Sequence, residues 1–453
     1  MKLAAYPRSR PSGVDWLGDV PEHWDVKRGR FCMDINRRSI RLRELSSDDE
    51  VSFVPMEAVG EYGGLNLDQT RAIADVSSGH TEFEDGDVIV AKITPCFENG
   101  KGALAAGLTN GAAFGTTELH VLRARSVDRR FLFYLTISRA FRSNGEGEMY
   151  GAGGQKRVPP EFCKDFRVPL PTLEDQRVIA DFLDRETSRI DALLAKKRTL
   201  IERLREKRTA LISRAVTRGL PPEAARAAGL DPHTKLRPSG VDCLGDVPEP
   251  WKVLPFTKYV ADRSDYRGKT PEKTQDGVFL VTAKNVRMGF IDYEASQEYV
   301  AAEEYDEIMR RGLPKKGDIL FTTEAPLGNV ALIDREDIAL AQRIIRFRMK
   351  PDCFSSRFTL YAMMSDYFQL QLQSLSTGST AEGLKASKLP ILRIVTPPLQ
   401  EQRTLADFLD RETSKIDQMV TKVEAAIERL EEYRAALITA AVTGKVDVRG
   451  AVA

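Results

Sequence analysis

QRVIADFLDRETSRIDALLAKKRTLIERLREKRTALISRAVT, Gln176 to Thr217, occurs a second time in the chain as QRTLADFLDRETSKIDQMVTKVEAAIERLEEYRAALITAAVT, Gln402 to Thr443, at a constant offset of 226 and with over half of the positions identical. In the first copy Leu183, Ile190, Lys197, Leu204 and Leu211 fall seven apart, with Thr187, Leu194, Ile201, Arg208 and Ala215 four residues behind them. The second copy has Leu409, Ile416, Val423, Leu430 and Leu437, followed by Thr413, Val420, Ile427, Arg434 and Ala441. A spacing of seven without internal Gly or Pro is a helical seam sustained over four to five heptads. Two such helices in one chain are expected to bury their stripes on each other. If each leaves the end of its own copy of a domain, the pair runs antiparallel about a pseudo-twofold axis. About 40 residues at 1.5 Å each make a rod of about 60 Å. Taken alone, a heptad stripe is more often plain core or a dimerisation seam.

The rest of the chain repeats around these blocks, and internal repetition governs the reading of everything local. RPSGVDWLGDVPEHW at Arg10 returns as RPSGVDCLGDVPEPW at Arg237; GDVIVAKITP at Gly86 parallels GDILFTTEAP at Gly317; FLFYLTISRAFR at Phe131 parallels FTLYAMMSDYFQ at Phe358; RVPLPTLEDQ sits opposite RIVTPPLQEQ. Between these landmarks the halves differ almost completely. The expected organisation is a first domain over 1–172, a long helix over 173–218, a linker over 219–236, a second domain over 237–399, a second long helix over 400–444 and a tail over 445–453. Each variable region mixes short β-like runs (Val51–Pro55, Val88–Ile93, Leu119–Leu122; Val278–Thr282, Ile319–Thr322, Ile344–Arg348) with helices over Arg129–Arg142 and Ser355–Gln373, punctuated by Gly and Pro. The predicted fold class is α+β: two similar globular domains, each with a curved sheet, separated by two long antiparallel coiled-coil helices.

At 453 residues the chain is long enough for two to four cores. Its 42% hydrophobic and 29% charged residues are ordinary for a soluble protein. No stretch approaches the apolar length of a membrane span and the opening residues do not read as a signal peptide, so a cytoplasmic location is expected. The five cysteines are scattered without a C-x-x-C pair, which points to neither a disulfide framework nor a zinc cluster. A net charge of +1 says nothing in favour of nucleic acid.

Catalytic patterns are missing too. GAGGQKR (Gly151–Arg157) lacks the Gly-Lys-Ser/Thr ending of a phosphate loop. The four histidines, His23, His80, His120 and His233, have no suggestive Ser or Cys beside them. Methylation boxes, H-E-x-x-H and dinucleotide-binding patterns are absent. DRETSRID and DRETSKID are acidic, but their spacing sets Asp184, Arg185, Glu186 and Arg189 on the flanks of the seam, where i,i+4 pairs are commonplace and a solvated face is expected. No catalytic residue and no metal site is predicted.

Several Gly-rich loops carry side chains of the kind that reach base edges and phosphates: Lys92–Lys101, Gly115–Glu118 and Gly151–Arg157 in the first half, and Ala283–Arg287, Thr322–Asn329, Ala341–Arg346 and Thr377–Lys385 in the second. The doubled W/C-L-G-D-V-P phrase, the P-L-P-T-L-E-D-Q and P-P-L-Q-E-Q entries and the doubled A-D-F-L-D-R-E-T-S-x-I-D helix together resemble the specificity subunit of type I restriction-modification systems, over essentially the whole chain. That resemblance implies two target recognition domains, each reading half of a divided, asymmetric double-stranded DNA site, with the helices setting the gap and docking two modification (methyltransferase) subunits. Restriction subunits that translocate and cut DNA would join them. S-adenosylmethionine, ATP and Mg would belong to those partners, and this chain would be non-catalytic with no cofactor of its own. Near-neutral charge fits a grip on phosphate shared with partners.

On this resemblance the candidate DNA-binding residues are Lys92, Thr94, Asn99, Lys101, Thr116, Thr117, Gln155, Lys156 and Arg157 in the first domain. In the second they are Lys284, Asn285, Arg287, Thr323, Asn329, Gln342, Arg343 and Lys385. Lys197, at a seam position that Val423 fills in the other helix, either snorkels or marks a partner's footprint. The competing readings are a coiled-coil scaffold with two protein-binding domains and no DNA role, and a self-contained enzyme of unrecognised chemistry.

Overall fold

The computed structural model describes residues 3–152, 154–266, 271–376 and 383–451. They form two compact units: Met1–Lys197 with Ala425–Ala453, and Arg198–Glu424. The division falls inside both long helices, Leu173–Arg218 and Leu399–Val442, so each unit holds one stretch of each. The segment between the first long helix and the second copy of the opening phrase contains a short helix, Pro222–Ala227.

In the first unit the opening phrase folds as a hairpin, Ser9–Pro11 against Asp19–Pro21, which delivers Leu17, Val20 and Trp24 to the core. Instead of one curved sheet there are two small ones. Val88–Ala91, buried at every position, is central to one, pairing antiparallel with Leu119–Ala124 and Gly102–Leu104; Met33–Ile35 completes it. In the other, Glu50–Val54 runs parallel to Ala112–Gly115. Asp25–Arg28 and Arg167–Leu170 clip the ends of the domain together just before the long helix begins.

The second unit repeats the plan. Leu236–Pro238 pairs with Asp246–Pro248, burying Val247 and Trp251. Ile319–Thr322 is the buried central strand between Ile344–Met349 and Val330–Leu332, and Val278–Val281 runs parallel to Ile338–Leu340. Lys252–Pro255 and Arg393–Thr396 form the clip.

The continuous helices expected over Arg129–Arg142 and Ser355–Gln373 are each broken in two, at Ser138 and Ser365. Both serines are extended, with ψ near 150°, and each hydroxyl donates to the carbonyl three residues back, at 2.6 Å. The amide freed after each break is taken by a hydroxyl of a long helix: Arg139 N donates to Thr439 Oγ1 at 3.0 Å, and Asp366 N to Ser213 Oγ at 2.9 Å. Helical periodicity carries no trace of this, because the break is stabilised by an element remote in sequence.

The helices are antiparallel within each unit. In the second unit Arg205 pairs with Glu424 at 3.2 Å and Arg208 with Asp417 at 2.9 Å, so advancing along one helix retreats along the other. In the first, Arg185 donates to Ala451 O and Asp191 pairs with Arg434 at 3.2 Å, in the same sense. Leu183, Ile190, Leu194, Ile201, Leu409, Ile416 and Leu437 are buried as the seam requires; Leu204, Leu211, Val420, Val423, Ile427 and Leu430 are half-buried, as is Lys197.

The acidic block is a largely solvated face, as its spacing suggests, with Glu186 paired to Arg185 and Arg189, but it also makes contacts that the spacing does not show. Asp184 accepts from Tyr134 Oη at 2.7 Å and Arg130 at 2.8 Å, and Arg130 also reaches Asp181 at 2.6 Å. The second unit has the same set: Asp410 accepts from Tyr361 Oη at 2.7 Å and Arg357 at 2.5 Å, and Arg357 reaches Asp407 at 2.6 Å. The block therefore fastens each domain's helix to the rod. Beside it Gln176 and Gln402, both buried, each bridge a loop amide and a proline carbonyl: Gln176 accepts from Asp128 N and donates to Pro171 O, Gln402 accepts from Ser355 N and donates to Pro397 O.

Candidate nucleic-acid interface

In the first unit the three predicted loops are brought together. Lys92 N donates to Glu118 O at 2.9 Å and Val158 N to Lys92 O at 2.8 Å. Thr94 Oγ1 donates to Gly154 O at 2.6 Å and accepts from Lys156 N at 3.0 Å. His120 lies beneath them, 2% exposed, with Nε2 2.8 Å from Val158 O and Nδ1 3.2 Å from Asn36 Nδ2. Burial pushes its pKa down, so the ring is neutral: Nε2 donates to the carbonyl and Nδ1 accepts from the amide. It is a core histidine that ties the 150–158 loop to the sheet.

Not every candidate on these loops is available to a ligand. Arg157 is spent on Glu118, with Nε and Nη2 both bonded to the carboxylate, and those bonds hold the Glu118 carboxyl below its ordinary range. Lys101 Nζ donates to Met56 O at 3.1 Å and Asn99 Nδ2 to Glu61 Oε1 at 3.1 Å. Thr116 Oγ1 accepts from Glu118 N. Thr117, Gln155 and Lys156 are exposed with no side-chain partner among the described residues, and Lys92 is half-buried beside them.

The second unit divides its candidates more sharply. Asn285 is fully buried: Oδ1 accepts from Thr282 N and Oγ1, and Nδ2 donates to Asp292 O and Ser296 O. Thr323 is 2% exposed and its hydroxyl donates to Arg343 O. Asn329 Nδ2 donates to Val286 O at 2.8 Å. Asn285 and Thr323 hold loops rather than present a reading surface, because a buried amide or hydroxyl must satisfy itself within the protein, while Asn329 is half-buried. Arg287 and Arg343 are exposed but paired, with Asp292 and Glu324. Lys284 and Lys385 are exposed and unpaired among the described residues, and Thr377–Glu382 of the predicted Thr377–Lys385 loop lies outside them. Gln342 lines a cavity of about 350 Å³ with Tyr266, Leu340 and Glu304.

Sequence reasoning passed over the stretch Gly60–Gly64, which lies directly against Lys92–Lys101. Tyr62 N donates to Gly100 O at 3.0 Å and Gly102 N to Gly60 O at 3.2 Å. Three glycines flanking Glu61 and Tyr62 were the available signal. Gly63, at φ +117°, leaves no room for a Cβ, which would stand 2.9 Å from the Phe133 ring.

Among the described residues no group of His, Cys, Asp and Glu could hold a metal ion, and no helix is long and apolar enough to cross a membrane. Cys163 is buried, which pushes its thiol up to about 12.

The family model for the type I restriction modification DNA specificity domain matches residues 75–203 and 282–429, more than half of the chain in two separate copies. The chain belongs to this family. The EcoAI specificity subunit of Escherichia coli is 38% identical over 169 residues, a stretch covering 36% of this chain and 28% of that one. The MjaVIII specificity subunit of Methanocaldococcus jannaschii is 26% identical over 441 residues, 95% of this chain and 94% of that one. In fold, a chain from a structural study of complex assembly and conformational transition of the type I R-M system matches with a TM-score of 0.70 at 17% identity, over 94% of this chain and 99% of the other. The two family matches each begin within a variable region and end inside a long helix, so each copy of the specificity domain includes part of that helix as well as candidate loops.

Proposed function

We propose that this chain is the DNA sequence-recognition subunit of a type I restriction-modification complex. Each α+β domain reads one half of a divided, asymmetric double-stranded site; the long helices set the gap and dock two methyltransferase subunits, and restriction subunits join that assembly in the cytoplasm. The chain itself is non-catalytic, and S-adenosylmethionine, ATP and Mg serve the partners. One observation carries this reading: in both units the Arg, Tyr, Asp and Gln contacts that fasten the domain to its long helix are the same, while the side chains on the loops beyond the central strand do not correspond. A protein that needs one frame and two different surfaces is a reader of two different half-sites. Thr117, Gln155, Lys156, Lys284 and Lys385 are the exposed side chains best placed to face the duplex in its major groove.

Co-expression with type I methyltransferase subunits, followed by mapping of methylated adenines, tests the proposal. The expected result is one bipartite asymmetric motif with a fixed gap. Replacing residues 25–172 by those of another family member should change one half of that motif only. An unmethylated genome, or a motif unaltered by the swap, would favour a protein-binding scaffold.

A further inference from the structure

A single tyrosine connects the candidate reading loop of the first unit to the long helices. Tyr62 has φ +59°, a conformation costly for a bulky residue, so its surroundings must hold it there. They do so with two arginines: the guanidinium of Arg142 lies over the ring at 4.9 Å from its centroid, and that of Arg434 at 5.1 Å. Arg142 Nη2 also donates to Tyr62 Oη at 3.0 Å, and Arg434 to Tyr62 O at 3.2 Å. Both Nε atoms are buried without a hydrogen-bond partner among the described residues, which makes the ring faces a larger share of what stabilises these cations.

Each arginine is itself tied down. Arg434 belongs to the second long helix, occupies a seam position where an apolar residue would pack, and pairs with Asp191 of the first at 3.2 Å. Arg142 donates to Glu98 O at 2.7 Å, within the loop Lys92–Lys101, and Tyr62 N donates to Gly100 O of that loop. A continuous set of contacts therefore runs Asp191, Arg434, Tyr62, then Glu98 and Gly100. The second unit keeps the helix half of this device and lacks the aromatic. Arg208 pairs with Asp417 as Arg434 does with Asp191, but its Nη2 stands 3.7 Å from where a Cβ on Gly289 would sit.

We infer that Tyr62 is a positioning residue which sets where the loop Lys92–Lys101 stands relative to the long helices, and so how strictly the first half-site is read at its proper distance from the gap. This rests on the proposed DNA-reading role. It assigns no base contact to Tyr62; the ring acts through the loop it holds.

The test uses the full chain in complex with its methyltransferase subunits. Tyr62→Ala should lower the methylation rate at the natural site about tenfold, as a displacement of the order of 1 Å can, and should narrow the preference for the natural gap over gaps one base pair longer or shorter. Tyr62→Phe keeps the ring between the guanidinium groups and should stay within about twofold of wild type in both. Amide hydrogen exchange supplies a readout without DNA: Tyr62→Ala should speed exchange at Phe97, Asn99 and Gly100 by about tenfold while leaving Leu119–Ala124 unchanged. Should Tyr62→Ala fail to fold, Tyr62→Leu carries the same test, having bulk but no ring face. A variant with unaltered gap preference, or unaltered exchange in the loop, overturns the inference and leaves the DNA-reading role intact. A wild-type chain that directs no methylation overturns both.

Discussion

The two units agree where they meet the long helices and part company where they do not. Arg130, Tyr134, Asp184 and Gln176 in the first have their counterparts in Arg357, Tyr361, Asp410 and Gln402 in the second, with the same partners and nearly the same distances. Under the central strand the agreement is already partial. Asp87 and Asp318 each accept a forked arginine, Arg123 and Arg348, but the second unit adds Arg346, wholly buried, where the first has Val121. At the loops the backbone plan persists, Lys92 and Thr323 each holding two equivalent main-chain bonds, but the side chains no longer correspond. Repetition in this chain is therefore a map of mechanical constraint: residues recur where a domain must be seated on the same helix surface twice.

The largest break in the comparison should come from Asp318. This carboxylate, 3% exposed, accepts from both Arg346 and Arg348, and Arg346 also reaches Asp262, Ser264 and Tyr266. Asp318→Ala takes from the buried Arg346 guanidinium its one buried carboxylate partner among the described residues, leaving it the half-exposed Asp262, and is expected to cost about 3–5 kcal/mol. Asp87→Ala strands only Arg123, which is partly exposed and retains Glu84 at 3.1 Å, and should cost about 1–3 kcal/mol. Urea unfolding of the full chain measures both. Arg346→Met in the Asp318→Ala background should recover most of the loss; no recovery would show that the buried cation was not its source.

A smaller and symmetric effect is expected from the glutamines. Gln176→Ala and Gln402→Ala each leave a loop amide and a proline carbonyl without their bridge, at a cost of roughly 2–3 kcal/mol. The two losses should agree within about 1 kcal/mol, since the bridges share their amide and proline bonds and differ by one longer bond, from Gln402 Nε2 to Cys353 O at 3.2 Å. A wide disagreement would mean that the units do not share the joint on which the comparison rests.

The sequence shows this joint only in part. The long helices are legible because heptad spacing over more than 40 residues admits no other element. The central strands and the parallel plan of the halves follow from paired phrases such as GDVIVAKITP and GDILFTTEAP. The helix breaks at Ser138 and Ser365 are not legible, because what stabilises them is a hydroxyl some 150 to 300 residues away in the chain. DRETS is legible only as a charged helix face for a related reason: i,i+4 spacing describes a helix by itself and does not show that Asp184 and Asp410 also answer to Arg and Tyr on another element. Among the reading candidates, residue type alone could not separate Asn285, saturated within the core, from Lys284 beside it, exposed and free.

The smallest effect distinguishes the two tryptophans. Trp251 Nε1 donates to Glu401 Oε2 at 3.1 Å, whereas Trp24 Nε1 has no partner among the described residues, and Asp175, at the place of Glu401, contacts His23 instead. Burial raises the Glu401 carboxyl above the usual carboxylate range, against the opposing pull of the Trp251 bond. A folded-state pKa above the unfolded one means that the native chain binds this proton more tightly, so its stabilising effect is full below the unfolded value and lost as pH rises through the folded one. Glu401→Gln retains an oxygen for Trp251 Nε1 and never ionises. It should match wild type near pH 4 and exceed it by a margin that grows as pH rises to neutral. Thermal unfolding of both chains between pH 4 and pH 8 measures the gap. If the gap does not widen with pH, the Glu401 carboxylate is solvated in the native state, and the second tryptophan's bond is no better sheltered than the first's empty place.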